Sequence, residues 1–381
     1  MIRMNRSFGP FCRVLLLLLA AALFPAGAEA HAAASSAGRA EDTAAQEIAE
    51  EEPDVKRIVL GHVGDSYEWH IATAGGREWS LPLPVIVHSP SSGWHCFSAK
   101  RLRGGAEYEG LRIAADGDHA GKIVERQADG SDLRPLDLSI TKTVAGLLLN
   151  SALVVALVLG AARWYRGRNP DAAAPRGVVG LFETLVESLV DDLIEPCVGP
   201  SYRRFAPYLL TVFCFIFLNN LMGLIPFFPG GANVTGNIAV ALVLAVATFL
   251  VVNLSGSRHY WKDIFWPDVP TWLKVPVPII PLIELVGVFT KPFALMIRLF
   301  ANMLAGHAVI LSLTCVVFVT VKMGAAVNAS MTALSVLFSI FMNCLELLVA
   351  FLQAYVFTML SAVFIGLAQE RGGEADAGAE K

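Results

Sequence analysis

Long uncharged apolar stretches, separated by short charged segments, fill the chain from residue 143 onward, and their lengths predict membrane helices. Residues 143–162 ("TVAGLLLNSALVVALVLGAA") carry no charge. A helix rising about 1.5 Å per residue needs about 20 such residues to cross a hydrocarbon core of roughly 30 Å. From Phe205 to Ser257 there is again no charged residue, but "PFFPGGANVTGN" interrupts the run. Its prolines and glycines predict a turn between two spans, 206–226 and 237–254. Two further stretches, 278–323 and 328–368, are separated near Lys322-Met-Gly. Five membrane passages are expected.

The last two stretches are too long for upright spans. At about 40 residues each, continuous helices would reach about 60 Å against a core of about 30 Å. Splitting each into two short spans needs a turn, and neither "FANMLAGHAVILSL" nor "FMNCLELLVAFLQAY" contains a proline or a polar turn cluster. Pro292 is tolerable in a membrane helix when neighbours satisfy the freed carbonyl. A steep tilt of about 60° from the normal remains, beyond the common range. Such helices would wrap something large and curved inside the membrane.

Between the first two spans, "GVVGLFETLVESLVDDLIEP" has helical periodicity. Phe182, Val186, Leu189 and Leu193 mark one face, and Glu183, Glu187, Asp191 and Glu195 the other. An interfacial helix on the inner surface, or one docking a partner, fits this pattern.

The N-terminal part reads differently. Arg3, Arg6 and Arg13 precede the apolar run "VLLLLLAAALF", and "AEA" at 28–30 is a cleavage-type site, so residues 1–30 are expected to be a signal peptide. Residues 31–55 are Ala-, Ser- and Glu-rich with no aromatic residue and are expected to be a flexible linker. Over 56–140, β-branched and alternating residues broken by Gly-Gly, Pro and Ser-Gly predict a small exported domain with a few short strands. A membrane channel domain over 141–370 and a disordered tail over 371–381 complete the division. The fold class is therefore an all-α integral membrane protein with a small exported region containing some β. Cleavage of the signal puts the new N-terminus outside, and five passages then put the C-terminus in the cytoplasm. Arg163, Arg166, Arg168 and Arg176, and later Arg258, Lys262 and Lys274, then fall inside, as the positive-inside rule requires.

Composition agrees. The chain of 381 residues is 55% hydrophobic and only 16% charged, a membrane-protein profile, and its net charge of −4 gives no support to nucleic-acid binding. Of six scattered cysteines, only Cys96 remains in the exported part after cleavage, so no disulfide can form within it. No metal or cofactor is expected: "GDHAGK" at 117–122 misses a phosphate-binding loop by spacing and by Ile123, there is no HExxH, and His62, His70, His88, His95 and His119 fit no metal-ligand spacing.

The chemistry is concentrated in the last two stretches. Glu284, Lys291 and Arg298 are seven residues apart and share one helical stripe, which Asn302 joins at i+4. His307, nine residues past the arginine, faces about 180° away. In the final stretch Glu346 is the only charge between Lys322 and Glu370, with Asn343 and Gln353 at −3 and +7 on its face. Lys291 and Glu284 can be read as snorkelling, and Asn302 and Gln353 as ties between helices. Arg298 resists that reading: an arginine at mid-depth costs at least about 3 kcal/mol, and no acid lies within one turn on its stripe. Either Glu346 pairs with it, or another subunit supplies the carboxylate.

"FTKPFALMIRLFANMLAGHA", "NNLMGLIP" at 219–226 and "ELLVAFLQAYVF" at 346–357 resemble the hallmark segments of subunit a of the F-type ATP synthases, the stator ion channel of the membrane sector, over roughly residues 140–370. The resemblance implies that Arg298 is the family's essential arginine facing a rotating ring of c subunits. It also implies that Asn302 and Gln353 are polar neighbours in the same motifs. Glu284, His307 and Glu346 would be the channel-lining acid and the paired acid and histidine, while Lys291 and Asn343 are secondary candidates. Many bacterial members carry an acid where this chain has His307 and a histidine where it has Glu346. An exchange that keeps one of each points to a pair in space. The exported domain is not general in that family. The function implied by the resemblance is that of a non-catalytic proton-translocating subunit with two offset half-channels. Its implied partners are the c ring, the b-subunit stator stalk, the rest of the complex and membrane lipid. Its place would be the cell inner membrane. The competing reading is a secondary transporter whose Arg298 binds an anionic substrate; internal repeats would favour it, and none is visible.

Overall fold

The computed structural model describes residues 64–74, 77–114, 119–127, 131–166, 175–225, 230–266 and 279–369. The expected signal peptide, linker and C-terminal tail, and the basic residues Arg168 and Lys274, lie outside the described residues.

Short strands form the first part, as the alternating pattern requires. β1 (Glu68–Ala74) pairs antiparallel with β2 (Arg77–Pro82). β3 (Pro84–Ser89) lies between β4 (Gly93–Ser98) and β8 (Leu136–Asp137), and β6 (Ile123–Arg126) lies between β5 (Leu111–Ile113) and β7 (Asp132–Leu133). Along β3 the period of two points Val85 and Val87 inward, onto Tyr67, Phe97, Leu102, Leu111 and Ile123. At one end of this core Ser89 donates to the buried Glu125 carboxylate at 2.5 Å, and Ser91 does so too. These hydroxyls hold the Glu125 carboxyl below its ordinary range, led by Ser89. Burial, with Asp137 beside it, pushes the Tyr67 phenol upward, so that it stays a donor to Asp137. Among the histidines of the strand region, His88 packs edge-on against Trp94 and His95 lies between Ser92 and Glu109.

The rest is helix. α1 spans Lys142–Tyr165, and α2 (Val178–Ser188) runs on through a π-helical segment, Leu189–Ile194, and a turn at Glu195–Val198. α3 spans Tyr202–Leu224, α4 Ile238–Ser255, α5 Arg258–Phe265, α6 Ile279–Thr320 and α7 Ala325–Gln369. Five stretches are long and apolar enough to cross a membrane, matching the five expected passages, although the second runs from Val178 to Leu224 because α2 leads into α3 with little interruption. The two faces of the amphipathic stretch are realised. Glu187, Asp191 and Glu195 are exposed, while Leu189, Val190, Leu193 and Ile194 are buried in the main helical core.

α6 and α7 are continuous, at 42 and 45 residues, so about 63 and 67 Å long. Pro292 sits inside α6 without ending it. Each packs on its partner by one face and leaves the other open: Phe289, Phe293 and Ile297 on α6, and Leu337, Phe341 and Leu348 on α7, are exposed. Patches of that size mark a surface that meets lipid or protein.

The β region sits on the ends of the helices. Asp65 Oδ1 accepts from the Thr143 N–H at 3.0 Å, and Ser66 O accepts from the Lys142 N–H at 2.8 Å, so two of the donors left open at the start of α1 are satisfied from the strand side. Trp69 is buried in the same core as Leu147, Ala232 and Val234. This end of the helices, the β end, also carries the α3–α4 connection at 230–237 and the α6–α7 turn.

At the opposite end α7 passes close to the turn after the π segment. A Cβ placed on Gly366 would lie 2.0 Å from the Cys197 carbonyl oxygen, whereas one on Gly287 of α6 would meet nothing within 4 Å. Gly366→Ala is therefore expected to lower stability by about 1–3 kcal/mol, the usual range for overpacking, and Gly287→Ala to leave it nearly unchanged. Thermal unfolding of the purified protein checks this; equal melting of the two variants would contradict the packing described.

Candidate functional site

The polar side chains of α6 divide by helical position, and that division decides what each one meets. Arg298 and Asn302, four residues apart, both lie on the exposed face. Arg298 makes no ion pair with any described residue, so the alternative of an intrachain bridge to Glu346 is not what forms. Asn302 donates through Nδ2 to Gln353 Oε1 of α7 at 2.9 Å, and Gln353 itself is buried. That hydrogen bond crosses the α6–α7 seam one turn from the arginine.

His307 turns to the other side, into the groove between α3 and α7. Its Nε2 lies 3.2 Å from the Gly223 carbonyl oxygen, and its Nδ1 lies 3.1 Å from the Met303 carbonyl oxygen. The same Nδ1 is 2.8 Å from Glu346 Oε1, in ion-pair contact and without the alignment of a good hydrogen bond. Glu346 is only 5% exposed. The protonation follows from the oxygens around the ring. A carbonyl can only accept, so Nε2 must carry hydrogen to meet Gly223. Nδ1 then faces two acceptor oxygens, and a proton is needed between it and the carboxylate. A doubly protonated ring would satisfy all of these oxygens. A carboxylate this deep costs several kcal/mol if left alone, which an imidazolium beside it would offset.

Space for the carboxylate comes from Gly306. A Cβ there would lie 2.8 Å from Glu346 Oε1. The remaining candidates lie elsewhere. Asn343 is exposed and bonds only to the Ser339 carbonyl of its own helix, at 2.9 Å, so it does not share the buried face of Glu346 and Gln353. The −3 spacing had placed it beside Glu346; the drift of a 3.6-residue turn carries it out toward the open face. Glu284 is exposed near the opposite end of α6. Half-buried Lys291 lines a cleft with Thr248, Asn253, Tyr260 and Pro292, and its Nζ lies 5.5 Å over the Phe364 ring. Burial, followed by the charge of Glu284, pushes the Tyr260 phenol upward.

A model of the family described as "ATP synthase A chain" matches residues 148–366, and a domain of unknown function matches residues 58–138. The first covers more than half of the chain. The chain belongs to the ATP synthase A chain family. It is 45% identical over 245 residues to "ATP synthase subunit a" of Chlorobium phaeobacteroides, covering 63% of this chain and 68% of that one. It is 46% identical over 241 residues to "ATP synthase subunit a 2" of Chlorobaculum tepidum, covering 61% and 64%, so the chain spans about two thirds of these relatives' lengths. With "ATP synthase subunit a" of Anaeromyxobacter dehalogenans it shares 34% identity over 333 residues, 82% of this chain and 80% of that one. That last match is too long to lie within the helices alone, so it reaches into the β region.

Within this family member a second polar group went unread as a site in the sequence. Asn150 of α1 donates to Asn219 of α3 at 2.9 Å, and Asn219 donates to the Phe215 carbonyl at 2.7 Å. Asn220 donates to the Ala350 carbonyl of α7 at 3.2 Å and accepts from Thr235 at 2.6 Å. All four side chains are buried. The signal was the adjacent pair Asn219-Asn220 inside an otherwise apolar run, which a lipid-facing helix would not carry.

Gln353→Leu removes the acceptor of Asn302. Interhelical hydrogen bonds in membranes average about 0.6 kcal/mol, so the purified protein should melt within a few degrees of the parent. A collapse in stability would show that the Asn302–Gln353 bond holds α6 to α7.

Proposed function

We propose that this chain is the stator subunit that passes protons between the two faces of the membrane and a rotating ring of c subunits, and so couples proton flow to rotation. One observation carries the reading. Arg298 is an exposed cation on a continuous 42-residue helix, with no partner among the described residues, and on the other side of that helix a half-buried imidazole meets a buried carboxylate. A passing carboxylate on another subunit supplies the missing anion. Protonated, it is neutral and can face lipid; ionised, it cannot. The fixed charge of Arg298 favours the ionised form and so releases the proton.

The β end is the outside face in this reading, and the arginines that follow α1 lie inside. His307 and Glu346 then serve the outer half-channel: the pair takes a proton from water of the outer face, past the polar groups near Gly223, and gives it to the ring carboxylate. The cleft with Lys291, Tyr260 and Asn253, with Glu284 nearby, serves the inner half-channel. Protons that enter on one side and leave on the other must ride the ring between them. Each charge moved through the membrane potential contributes about 2.3 kcal/mol per 100 mV. The c ring, the b-subunit stalk and the catalytic head are the partners, and the cell inner membrane is the location. The subunit itself has no catalytic role. The continuity of α6 and α7 speaks against the transporter reading, which needs discontinuous helices at a midplane site.

The test is Arg298→Ala in the reconstituted complex. ATP synthesis should fall to the level of empty vesicles, with a passive proton leak retained or increased. ATP-driven pumping at the parental rate would overturn the assignment. The pair is tested by exchange. His307→Glu together with Glu346→His should synthesise ATP faster than either single variant, and equal loss in all three would argue against a shared proton.

A further inference from the structure

Residues 58–138 match a domain of unknown function, and this region packs on the ends of the helices. The contact centres on Gly146 of α1. A Cβ there would lie 2.6 Å from Ala232 Cβ, 3.4 Å from Val234 Cγ2 and 3.9 Å from the Trp69 ring. Strand β1 and the 230–235 loop therefore meet on one glycine, and all of these side chains are buried. The loop in turn connects to the His307–Glu346 pair through α3 by two routes. Thr235 holds Asn220, which reaches the Ala350 carbonyl one turn beyond Glu346. Gly231 N–H donates to the Met222 carbonyl at 3.2 Å, and Ala232 O lies 3.8 Å from where a Gly223 Cβ would stand, beside the carbonyl that His307 meets.

We infer that the β region is a brace for the outer proton entrance: Trp69, a positioning residue, presses the 230–235 loop onto α3 and thereby fixes the Gly223 carbonyl and the Asn220 amide around the His307–Glu346 pair. The inference rests on the proton-path reading of that pair. Buried aromatic area drives the contact. A tryptophan buries some 150–250 Å² and is stiff, so it holds a loop that has only short hydrogen-bonded turns of its own. The charged surroundings of the pair are simple. Segment 218–224 of α3, the 230–235 loop and α4 bring no charged side chain. Along the sequence of α6 and α7, Arg298 is the next charge before His307, and Cys315 and Cys344 are the titratable groups closest in sequence to His307 and Glu346. Movement of the loop therefore reaches the pair through its hydrogen-bond acceptors and through space for water.

The experiment uses the whole complex in vesicles, with the pH varied on one face while the other is held. Trp69→Ala should move the midpoint of the outer-face pH dependence of ATP synthesis by about half a unit, or roughly threefold in proton affinity. The inner-face profile should stay in place, and Trp69→Phe should recover most of the shift. Gly146→Ala pushes on Ala232 from the membrane side and should shift the outer profile as well, which keeps the test open if Trp69→Ala assembles poorly. Unmoved outer profiles in both variants, or equal shifts on both faces, overturn the brace. Failure of the underlying reading looks different: Glu346→Gln in an otherwise unaltered chain would then leave the outer profile unchanged.

Discussion

A charge at mid-membrane needs an opposite charge, and most of this architecture can be derived from that constraint. Arg298 finds no anion among the described residues, because Glu346 is already in contact with His307 on the far side of α6. The helix carrying it must therefore present the arginine to something outside. α6 and α7 do so by lying side by side with one apolar face uncovered along much of their length. Their length is the second consequence. A continuous apolar helix of about 63 Å fits a roughly 30 Å core only when strongly inclined. Inclination spreads the open face along the membrane plane, which suits a curved ring passing by.

The same helix separates two chemistries by rotation alone. Nine residues, about 14 Å of rise and half a turn in angle, part the exposed arginine from the half-buried imidazole. On the proposed reading this keeps the stored proton of His307–Glu346 from facing a fixed positive charge directly, while both remain near the α6–α7 seam. Asn302–Gln353 ties that seam between them. Glycine supplies the closeness at the carboxylate: a side chain on Gly306 would stand where Glu346 Oε1 approaches His307, while Gly223 contributes its carbonyl to the imidazole.

Much of this was legible in the sequence, for identifiable reasons. Spans could be counted because lipid forbids charge over about 20 residues, and continuity of the last two helices followed from the lack of any turn signal. The opposition of Arg298 and His307 followed from the helical period. Partnership across helices did not follow from spacing: the imidazole–carboxylate contact came from the resemblance and from the logic of an exchanged acid and histidine. Asn343 was misplaced because a −3 offset is compatible with either side of a face boundary, and only packing against α3 decides which side is buried. The Asn150–Asn219 and Thr235–Asn220 bonds were invisible because each joins residues at least 15 positions apart.

The β region shows most clearly what patterning leaves out. Alternation predicts strands and an inward face at Val85 and Val87, but it says nothing of where a small sheet sits. Its own core is a handful of side chains, too little to stabilise an independent domain of this size by much. Burying Trp69 among helix residues and capping α1 with Asp65 and Ser66 makes the two parts one packed body. A sheet so fixed cannot move without moving the α3–α4 connection beneath it. On the proposed reading, that mechanical coupling, and not any chemistry of its own, lets an appended strand region bear on the His307–Glu346 pair between α3, α6 and α7.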